Sequence, residues 1–178
     1  MSKPYFKEEQ RFNRPVGWVI FIVLFSTAMI PFVIGINQQL IQGEPWGDNP
    51  MSDKGLIVSA ILVFLLMIGL LLLFVKIRLI VEVKEDGIRY SYPPVINKKR
   101  DLLKSRIDSF KLRKYRPVIE YGGWGVKTGS KKWGKAYNVY GNIGMQLYLK
   151  DGTKILFGTQ RGEAFQRAVQ KMMEDRTF

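Results

Sequence analysis

Two long apolar runs constrain the fold of this chain more than any other feature. Residues 16–36 and residues 55–75 contain no ionisable side chain, and each run is 21 residues long. About 20 apolar residues, each rising 1.5 Å, are enough to cross the hydrocarbon core of a bilayer. The sequence therefore predicts transmembrane helices over residues 15–37 and 55–77, joined by a short external loop over residues 38–54.

The first run has a second interpretation, a cleaved signal peptide, because a basic segment precedes it. The run is too long for the apolar core of a signal peptide, and no small-residue cleavage site of the A-x-A type follows it. These features favour a retained membrane anchor.

The distribution of charge predicts the orientation of the anchor. Residues 1–14 carry a net charge of +2, residues 37–54 carry −2, and the chain from Lys76 onward carries +13. Because cytoplasmic segments of membrane proteins are enriched in Lys and Arg, both termini are expected in the cytoplasm. The expected organisation is a cytoplasmic N-terminal segment at residues 1–14, two spans, and a cytoplasmic domain at residues 78–178.

The cytoplasmic domain begins with a strand pattern. Leu79, Val81 and Val83 alternate with Ile80, Glu82 and Lys84, which is the two-residue period of a strand. Asp86-Gly87 is a tight hairpin signal. The next strand is expected to close at Pro93-Pro94, because proline cannot continue a central strand. No flexible linker separates the second span from this strand, so the domain is expected to lie close to the membrane.

The rest of the domain continues the pattern and ends in a helix. The alternation over residues 107–115 slips near Asp108-Ser109, which indicates a β-bulge. Residues 143–149 alternate cleanly, and Asp151-Gly152 predicts a second hairpin. Apolar residues at helical spacing then predict an amphipathic C-terminal helix whose N-cap lies near Thr159 or Gln160. The apolar residues at helical spacing are Ala164, Phe165, Ala168, Val169 and Met172.

The predicted fold is a membrane helical hairpin followed by about seven antiparallel strands, in a strongly bent sheet or partly open barrel, with one C-terminal helix. This order resembles the pleckstrin-homology-like (PH-like) fold. The segments RPVIEYGGWGVK (residues 116–127) and YNVYGNIGMQLYLKDGTKILFGTQ (residues 137–160), with the closing helix, are similar to short bacterial membrane proteins that carry bacterial PH domains. The resemblance covers roughly residues 78–174 and the helical hairpin in outline. It implies a fold and a location in a bacterial inner membrane, and it supplies no functional residues.

One segment, residues 122–136, has two interpretations. In the first, its glycines allow positive φ angles or a bulge in a bent sheet. In the second, it is a loop that contacts anionic lipid, because tryptophan prefers the headgroup level and lysine is attracted to anionic lipid. The candidate contact residues in this segment are Trp124, Lys127, Lys131, Lys132, Trp133 and Lys135. A second basic cluster, Lys98, Lys99 and Arg100, completes the candidate membrane or partner surface.

The same segment partly matches the motif of a nucleotide-binding P-loop. Residues 129–136 fit the spacing G-x-x-x-x-G-K, but Ala136 stands where the motif requires Ser or Thr. The flanking residues also predict strands instead of a strand leading into a helix. These two departures argue against a nucleotide site.

The sequence predicts no enzymatic activity. It contains no histidine and no cysteine, and its carboxylates are scattered over the domain. No catalytic set, cofactor site, metal site or small-molecule substrate is expected, and the basic residues do not form a recognisable nucleic-acid reader.

The predicted function is that of an interaction or scaffold module on the cytoplasmic face of the membrane. Its expected partners are anionic lipids of the inner leaflet and an unidentified protein, a membrane complex or a second copy of the chain. The alternative function is recognition of anionic-lipid headgroups by the basic, tryptophan-containing segment and residues 98–100. Scattered Lys and Arg that form only a solvated face are the third interpretation.

Overall fold

The computed structural model describes residues 3–12 and 15–175, which form two compact units. One unit combines the chain up to Phe12 with the chain from Lys76, and the other spans Asn13–Val75. The predicted boundaries at residues 14 and 178 lie outside the described residues.

The Asn13–Val75 unit contains two long apolar helices, as predicted. Helix α1 spans Pro15–Ile36 and continues into a π-helical turn at Asn37–Ile41, while helix α2 begins at Asp53 and ends at Lys76. Both are long and apolar enough to cross a membrane. Only 6% of the most apolar 18-residue stretch in the first helix is buried, and only 17% of that in the second. These are therefore not core helices of the described chain.

Aromatic contacts join the two helices. The rings of Phe25 and Phe64 meet edge to face at 6.2 Å, and those of Trp18 and Phe74 meet at 5.9 Å. Since the earlier residues of α1 contact the later residues of α2, the helices run antiparallel. A Cβ atom on Gly17 would lie 2.8 Å from the Phe74 ring, so glycine permits this close approach.

The other unit contains nine described strands in two sheets. They are β1 (Phe6–Arg11), β2 (Arg78–Val83), β3 (Gly87–Tyr92), β4 (Ile96–Leu103), β5 (Ile107–Lys114), β6 (Gly125–Thr128), β7 (Lys135–Asn138), β8 (Ile143–Leu149) and β9 (Lys154–Gly158). The first sheet has the order β1-β2-β3-β4 and the second has the order β5-β8-β9-β7-β6. All paired strands are antiparallel except β7 and β9, which are parallel.

The two predicted hairpins and the predicted bulge are confirmed. Strands β2 and β3 pair around Asp86-Gly87, and β8 and β9 pair around Asp151-Gly152. The register of β5 against β8 shifts between Ile107 and Ser109. Glycine is required at position 87, because a Cβ atom there would lie 2.3 Å from the carbonyl oxygen of Leu102.

The prediction of about seven antiparallel strands in one sheet needs correction. Strand β1 was not predicted, although it pairs with β2 over its whole length, from Phe6 opposite Val83 to Arg11 opposite Arg78. Residues 116–121 follow the strand predicted over residues 107–115, and the sequence predicts no helix there. The structure has a short helix, α3 (Pro117–Tyr121), because proline at its first turn and left-handed Gly122 at its C-terminus both favour a helix.

The predicted C-terminal helix, α4 (Gly162–Glu174), is confirmed and packs on the core. Its buried residues include Phe165 and Met172, and the Phe165 ring stacks on Phe6 of β1 at 4.8 Å. The N-cap residue is Arg161, one position after the predicted pair, and its backbone N–H donates a 3.0 Å hydrogen bond to the hydroxyl oxygen of Thr159.

Candidate functional site

The β-sheet unit contains a cleft of about 910 Å³. Strand β4 of the first sheet forms one wall, and strands β7 and β9 of the second sheet contribute to the other. The β8–β9 hairpin and the turn at residues 129–134, between β6 and β7, complete its rim. We call this feature the basic cleft.

The basic cleft collects positive charge from segments that are distant in the sequence. Arg100 comes from β4, Lys131 from the 129–134 turn, Lys135 from β7 and Lys154 from β9. Arg106, from the 3₁₀ turn before β5, is the fifth basic residue of the lining. The cleft thus joins parts of the two basic clusters identified in the sequence.

The two acidic residues of the lining are already engaged. Asp101 pairs with Arg89, with Oδ1 2.5 Å from Nε. Asp151 accepts hydrogen bonds from the hydroxyl and N–H of Thr153 and lies 2.9 Å from a guanidinium nitrogen of Arg106. These partners lower the pKa of each carboxyl: the Arg89 hydrogen bond is the largest cause for Asp101, and the Thr153 hydroxyl for Asp151. Both therefore remain anionic at neutral pH, but their charge is already matched.

An aromatic pair adjoins the cationic residues. Tyr90, which lines the cleft, lies with its ring 4.9 Å from that of Tyr137. Burial, and next the hydrogen bond with Tyr90, raise the pKa of Tyr137, while Arg100 opposes this shift. The hydroxyl of Tyr137 is therefore neutral at pH 7 and does not neutralise the positive charge of Arg100.

Two glycines shape the 129–134 turn. A Cβ atom on Gly134 would lie 2.2 Å from the carbonyl oxygen of Lys154, and one on Gly129 would lie 2.7 Å from that of Glu120. The turn thus fits between β9 and the end of α3. The Nζ atom of Lys154 donates a 3.1 Å hydrogen bond to the carbonyl oxygen of Lys132, which links the turn directly to β9.

Trp133 belongs to the packing of this turn. It packs against a small cluster of buried residues that includes Tyr121 and Leu156, and the Tyr121 hydroxyl donates a 3.2 Å hydrogen bond to its carbonyl oxygen. The guanidinium of Arg113 lies 5.0 Å from the Trp133 ring. The lipid-contact interpretation requires an exposed side chain at this position, whereas Trp133 is half-buried.

A partly buried ion pair lies next to Trp133. A guanidinium nitrogen of Arg113 lies 2.8 Å from Oε2 of Glu120, and Arg113 also donates hydrogen bonds of 3.0 and 3.2 Å to Oε1 of Gln146. Burial raises the pKa of Glu120, but the hydrogen bonds and charge of Arg113 and the N–H of Arg116 outweigh burial and lower it. This pair fixes α3 against β5 and β8.

The remaining predicted contact residues lie outside the basic cleft. Lys99 points to the other face of the first sheet, where its Nζ lies 3.7 Å from Glu82. Lys98 is exposed and does not line the cleft. Lys132 extends over the Trp133 ring at 4.8 Å, and Lys127 lies on β6. Trp124 is 43% exposed.

Two cationic lining residues, Arg106 and Lys154, were not singled out in the sequence. Lys154 follows the predicted Asp151-Gly152 hairpin, so its strand was predicted but its neighbours across the cleft were not. That proximity depends on the parallel pairing of β7 with β9, in which Lys135 lies opposite Ile155. Nothing in the local sequence indicates this pairing.

No metal-binding group of three or more carboxylate, histidine or cysteine side chains occurs among residues 3–12 and 15–175. Comparison of the chain with protein-family models, with curated proteins and with solved structures returns no match.

Proposed function

We propose that this chain is a non-enzymatic, membrane-anchored interaction module whose PH-like domain binds a phosphate-bearing anionic ligand in the basic cleft. The observation that carries the proposal is the convergence of Arg100, Lys131, Lys135 and Lys154 around one cavity whose two carboxylates are already paired. The absence of histidine and cysteine from the sequence supports a binding role instead of a catalytic one.

The topology supports a PH-like fold. Strands β1 to β4 form one antiparallel sheet, and β5, β8 and β9 form an antiparallel meander in the second. These seven strands and α4 equal the predicted number of strands and end in the predicted helix, although β1 precedes the two apolar helices and lies outside the domain predicted over residues 78–178. Helix α3 and the β6–β7 hairpin are then an insertion between β5 and β8.

The pairing of β1 with β2 supports the proposed topology in the membrane. Strand β1 precedes α1, and β2 follows α2, yet the two strands pair in one sheet. Residues of one sheet lie on one side of a bilayer, so two crossings return the chain to its starting side. Together with the positive charge of both flanks, this favours a cytoplasmic domain at a bacterial inner membrane.

The dimensions and chemistry of the cleft favour a small phosphorylated group. A volume of about 910 Å³ is within the range of small-molecule sites. Leu102, Leu149 and Ile155 supply apolar surface, while the basic residues of the lining supply charge for phosphate oxygens. The phosphate could belong to a lipid headgroup or to a soluble molecule, because the same cations bind both.

A fluorescent label in the cleft tests the proposal. The chain contains no cysteine, so Thr128→Cys, at an exposed position of the lining, provides a single labelling site. The full chain is placed in phosphatidylcholine nanodiscs and titrated with inorganic pyrophosphate, and a second preparation contains phosphatidylglycerol. We expect a saturable change in emission in at least one arm, and the responding arm identifies the source of the phosphate.

Charge reversal provides the matched control. Lys131→Glu with Lys135→Glu should weaken the response about tenfold or more, because two charge-assisted contacts are lost. Lys98→Glu with Lys111→Glu changes the net charge equally at exposed positions outside the cleft and should leave the response unchanged. Equal losses of the fluorescence response in both variants would mean that net charge, and not the basic cleft, accounts for binding.

The absence of a response to both pyrophosphate and phosphatidylglycerol would overturn the proposal of an anionic ligand. The predicted protein partner would then be the remaining candidate. For such a partner, a groove of about 340 Å³ lies beside α4, lined by Tyr5, Ala164, Arg167, Ala168 and Lys171. Mild crosslinking of the full chain at Arg167→Cys would then recover a specific protein, and recovery of abundant membrane proteins alone would count against this alternative.

A further inference from the structure

The inserted segment between β5 and β8 exposes apolar side chains that the basic cleft does not use. Val118 is 64% exposed, Ile119 is 73% exposed and Trp124 is 43% exposed. We call these three residues the apolar tip. All three residues precede the 129–134 turn in the sequence.

Local backbone geometry keeps Val118 and Ile119 in an outward position. Helix α3 has five residues, and it buries Tyr121, which anchors it to the second sheet. The N–H groups of Gly122 and Gly123 donate 2.9 Å hydrogen bonds to the carbonyl oxygens of Val118 and Pro117. The helix end is therefore closed by backbone hydrogen bonds, while its two branched side chains remain in solvent.

Trp124 is fixed beside the same helix. Its indole N–H donates a 3.0 Å hydrogen bond to the carbonyl oxygen of Gly141. The next residue, Asn142, accepts a 2.8 Å hydrogen bond from the N–H of Tyr115, two residues before α3 begins. The indole therefore has its polar atom satisfied near the start of α3, and much of its ring remains exposed.

Basic residues surround the apolar tip in the sequence. Lys114 and Arg116 precede α3, and Lys127 follows on β6. Within residues 3–12 and 15–175, none of these three has a carboxylate within ion-pair distance. Exposed apolar side chains that include tryptophan, bordered by cations, match the interface of an anionic bilayer, where rings lie at the headgroup level and cations contact lipid phosphates.

We infer that the apolar tip inserts into the interfacial region of an anionic bilayer. This contact is separate from ligand binding in the basic cleft, because none of the three tip residues lines that cleft. It also divides the segment of residues 122–136 into two parts, of which only the first enters lipid.

An environment-sensitive label tests this inference on the full chain. Ile119→Cys carries the label in the tip, and Gln166→Cys, at an exposed position of α4, carries it in a control protein. Both are reconstituted into vesicles of phosphatidylglycerol with phosphatidylcholine, or of phosphatidylcholine alone, with spin-labelled lipids as quenchers. We expect a shift of the Ile119 emission to shorter wavelength and its quenching in the anionic vesicles, both weaker in neutral vesicles and absent at Gln166.

A second variant separates insertion from folding. Val118→Ser with Lys114→Glu and Lys127→Glu retains the label at position 119, and should lose quenching while the near-ultraviolet circular dichroism stays unchanged. Equal quenching at positions 119 and 166, or no quenching at 119 in anionic vesicles, overturns the inference. A wavelength shift that instead follows protein concentration in detergent micelles would assign the tip to contact between two copies and would also overturn it.

Discussion

The two halves of the segment at residues 122–136 have similar compositions and different structural roles. Residues 122–127 and residues 129–135 each contain glycine, one tryptophan and lysine. Trp133 of the second half packs against Tyr121 and beneath Arg113, whereas Trp124 of the first half is 43% exposed. The difference arises because the second half adjoins the partly buried Arg113–Glu120 pair. Tertiary neighbours therefore decide whether a tryptophan among lysines packs against buried residues or lies on the surface.

Glycine substitutions should produce the largest contrast between the two halves. Gly134→Ala places a Cβ atom 2.2 Å from a backbone oxygen at a φ of +75°, so the turn must move away from β9. We expect a loss of about 3 kcal/mol in the free energy of unfolding. Gly122→Ala, at a φ of +71° with nothing within 4 Å, should cost about 1 kcal/mol, which is the left-handed strain alone. Chemical denaturation of the full chain in detergent measures both, and equal losses would contradict the close approach at Gly134.

Tryptophan substitutions should give the next largest contrast. Trp133→Ala removes packing against the small buried cluster and should cost about 2 kcal/mol, below the value for a fully buried ring. Trp124→Ala removes an exposed ring and one hydrogen bond and should cost about 0.5 kcal/mol. The same denaturation experiment compares them. A larger loss of unfolding free energy for Trp124→Ala would contradict the assignment of Trp133 to the packed cluster and of Trp124 to the surface.

The ion pair beside Trp133 should give the smallest effect, and a pH dependence. The pKa of Glu120 is lowered in the folded chain, so the unfolded state binds its proton more readily. The stabilisation is present above the ordinary glutamate pKa of 4.5 and is lost as the pH falls below it. Glu120→Gln should cost about 1 kcal/mol at pH 7, between the values for exposed and buried ion pairs.

Comparing stability at pH 7 and pH 4 tests the charge of Glu120 directly. The difference between wild type and Glu120→Gln should shrink as the pH falls below 4.5, since the unfolded chain then takes up the proton of Glu120 more readily than the folded chain does. A difference that is constant over this range would mean that the side chain contributes through its hydrogen bonds and not through its charge. Asp108→Asn, which removes one charge at an exposed carboxylate, is the matched control.

The elements predicted from the sequence are those whose own residues carry the signal. The apolar helices, the Asp86-Gly87 and Asp151-Gly152 hairpins and α4 each have a local pattern of length, turn residues or helical spacing. Helix α3 also had such a pattern, Pro117 at its start and Gly122 after its end, but the branched residues between them resemble a strand.

Strand β1 shows why other elements were missed. Its inward positions are Phe6, Glu8 and Gln10, and all three are buried, although two of them are polar. Glu8 accepts a 2.6 Å hydrogen bond from the Thr159 hydroxyl, and Gln10 donates a 2.7 Å bond to the carbonyl oxygen of Gly158. Polar side chains are stable inside a protein when such partners exist. The partners are near the other end of the chain, so no local alternation of apolar residues marks the strand.

The candidate site was predicted only in part, for the same reason. Arg100, Lys131 and Lys135 were identified as basic residues, but their convergence with Lys154 depends on the arrangement of two sheets. Lys99 has the same charge as Arg100 and the adjacent position, yet it lies on the opposite face of β4 and pairs with Glu82. In a strand, neighbouring residues point to opposite faces, and the sequence does not show which face of β4 borders a cavity.

The pairing of β1 with β2 also sets an order for biosynthesis. Strand β1 leaves the ribosome first, but its partner is made only after both long helices have been synthesised. During that interval its polar inward residues, Glu8 and Gln10, have neither Thr159 nor Gly158 to bind. The first strand of the sheet is thus among the last to be paired, and a chain truncated within α2 lacks β2, the strand with which β1 pairs.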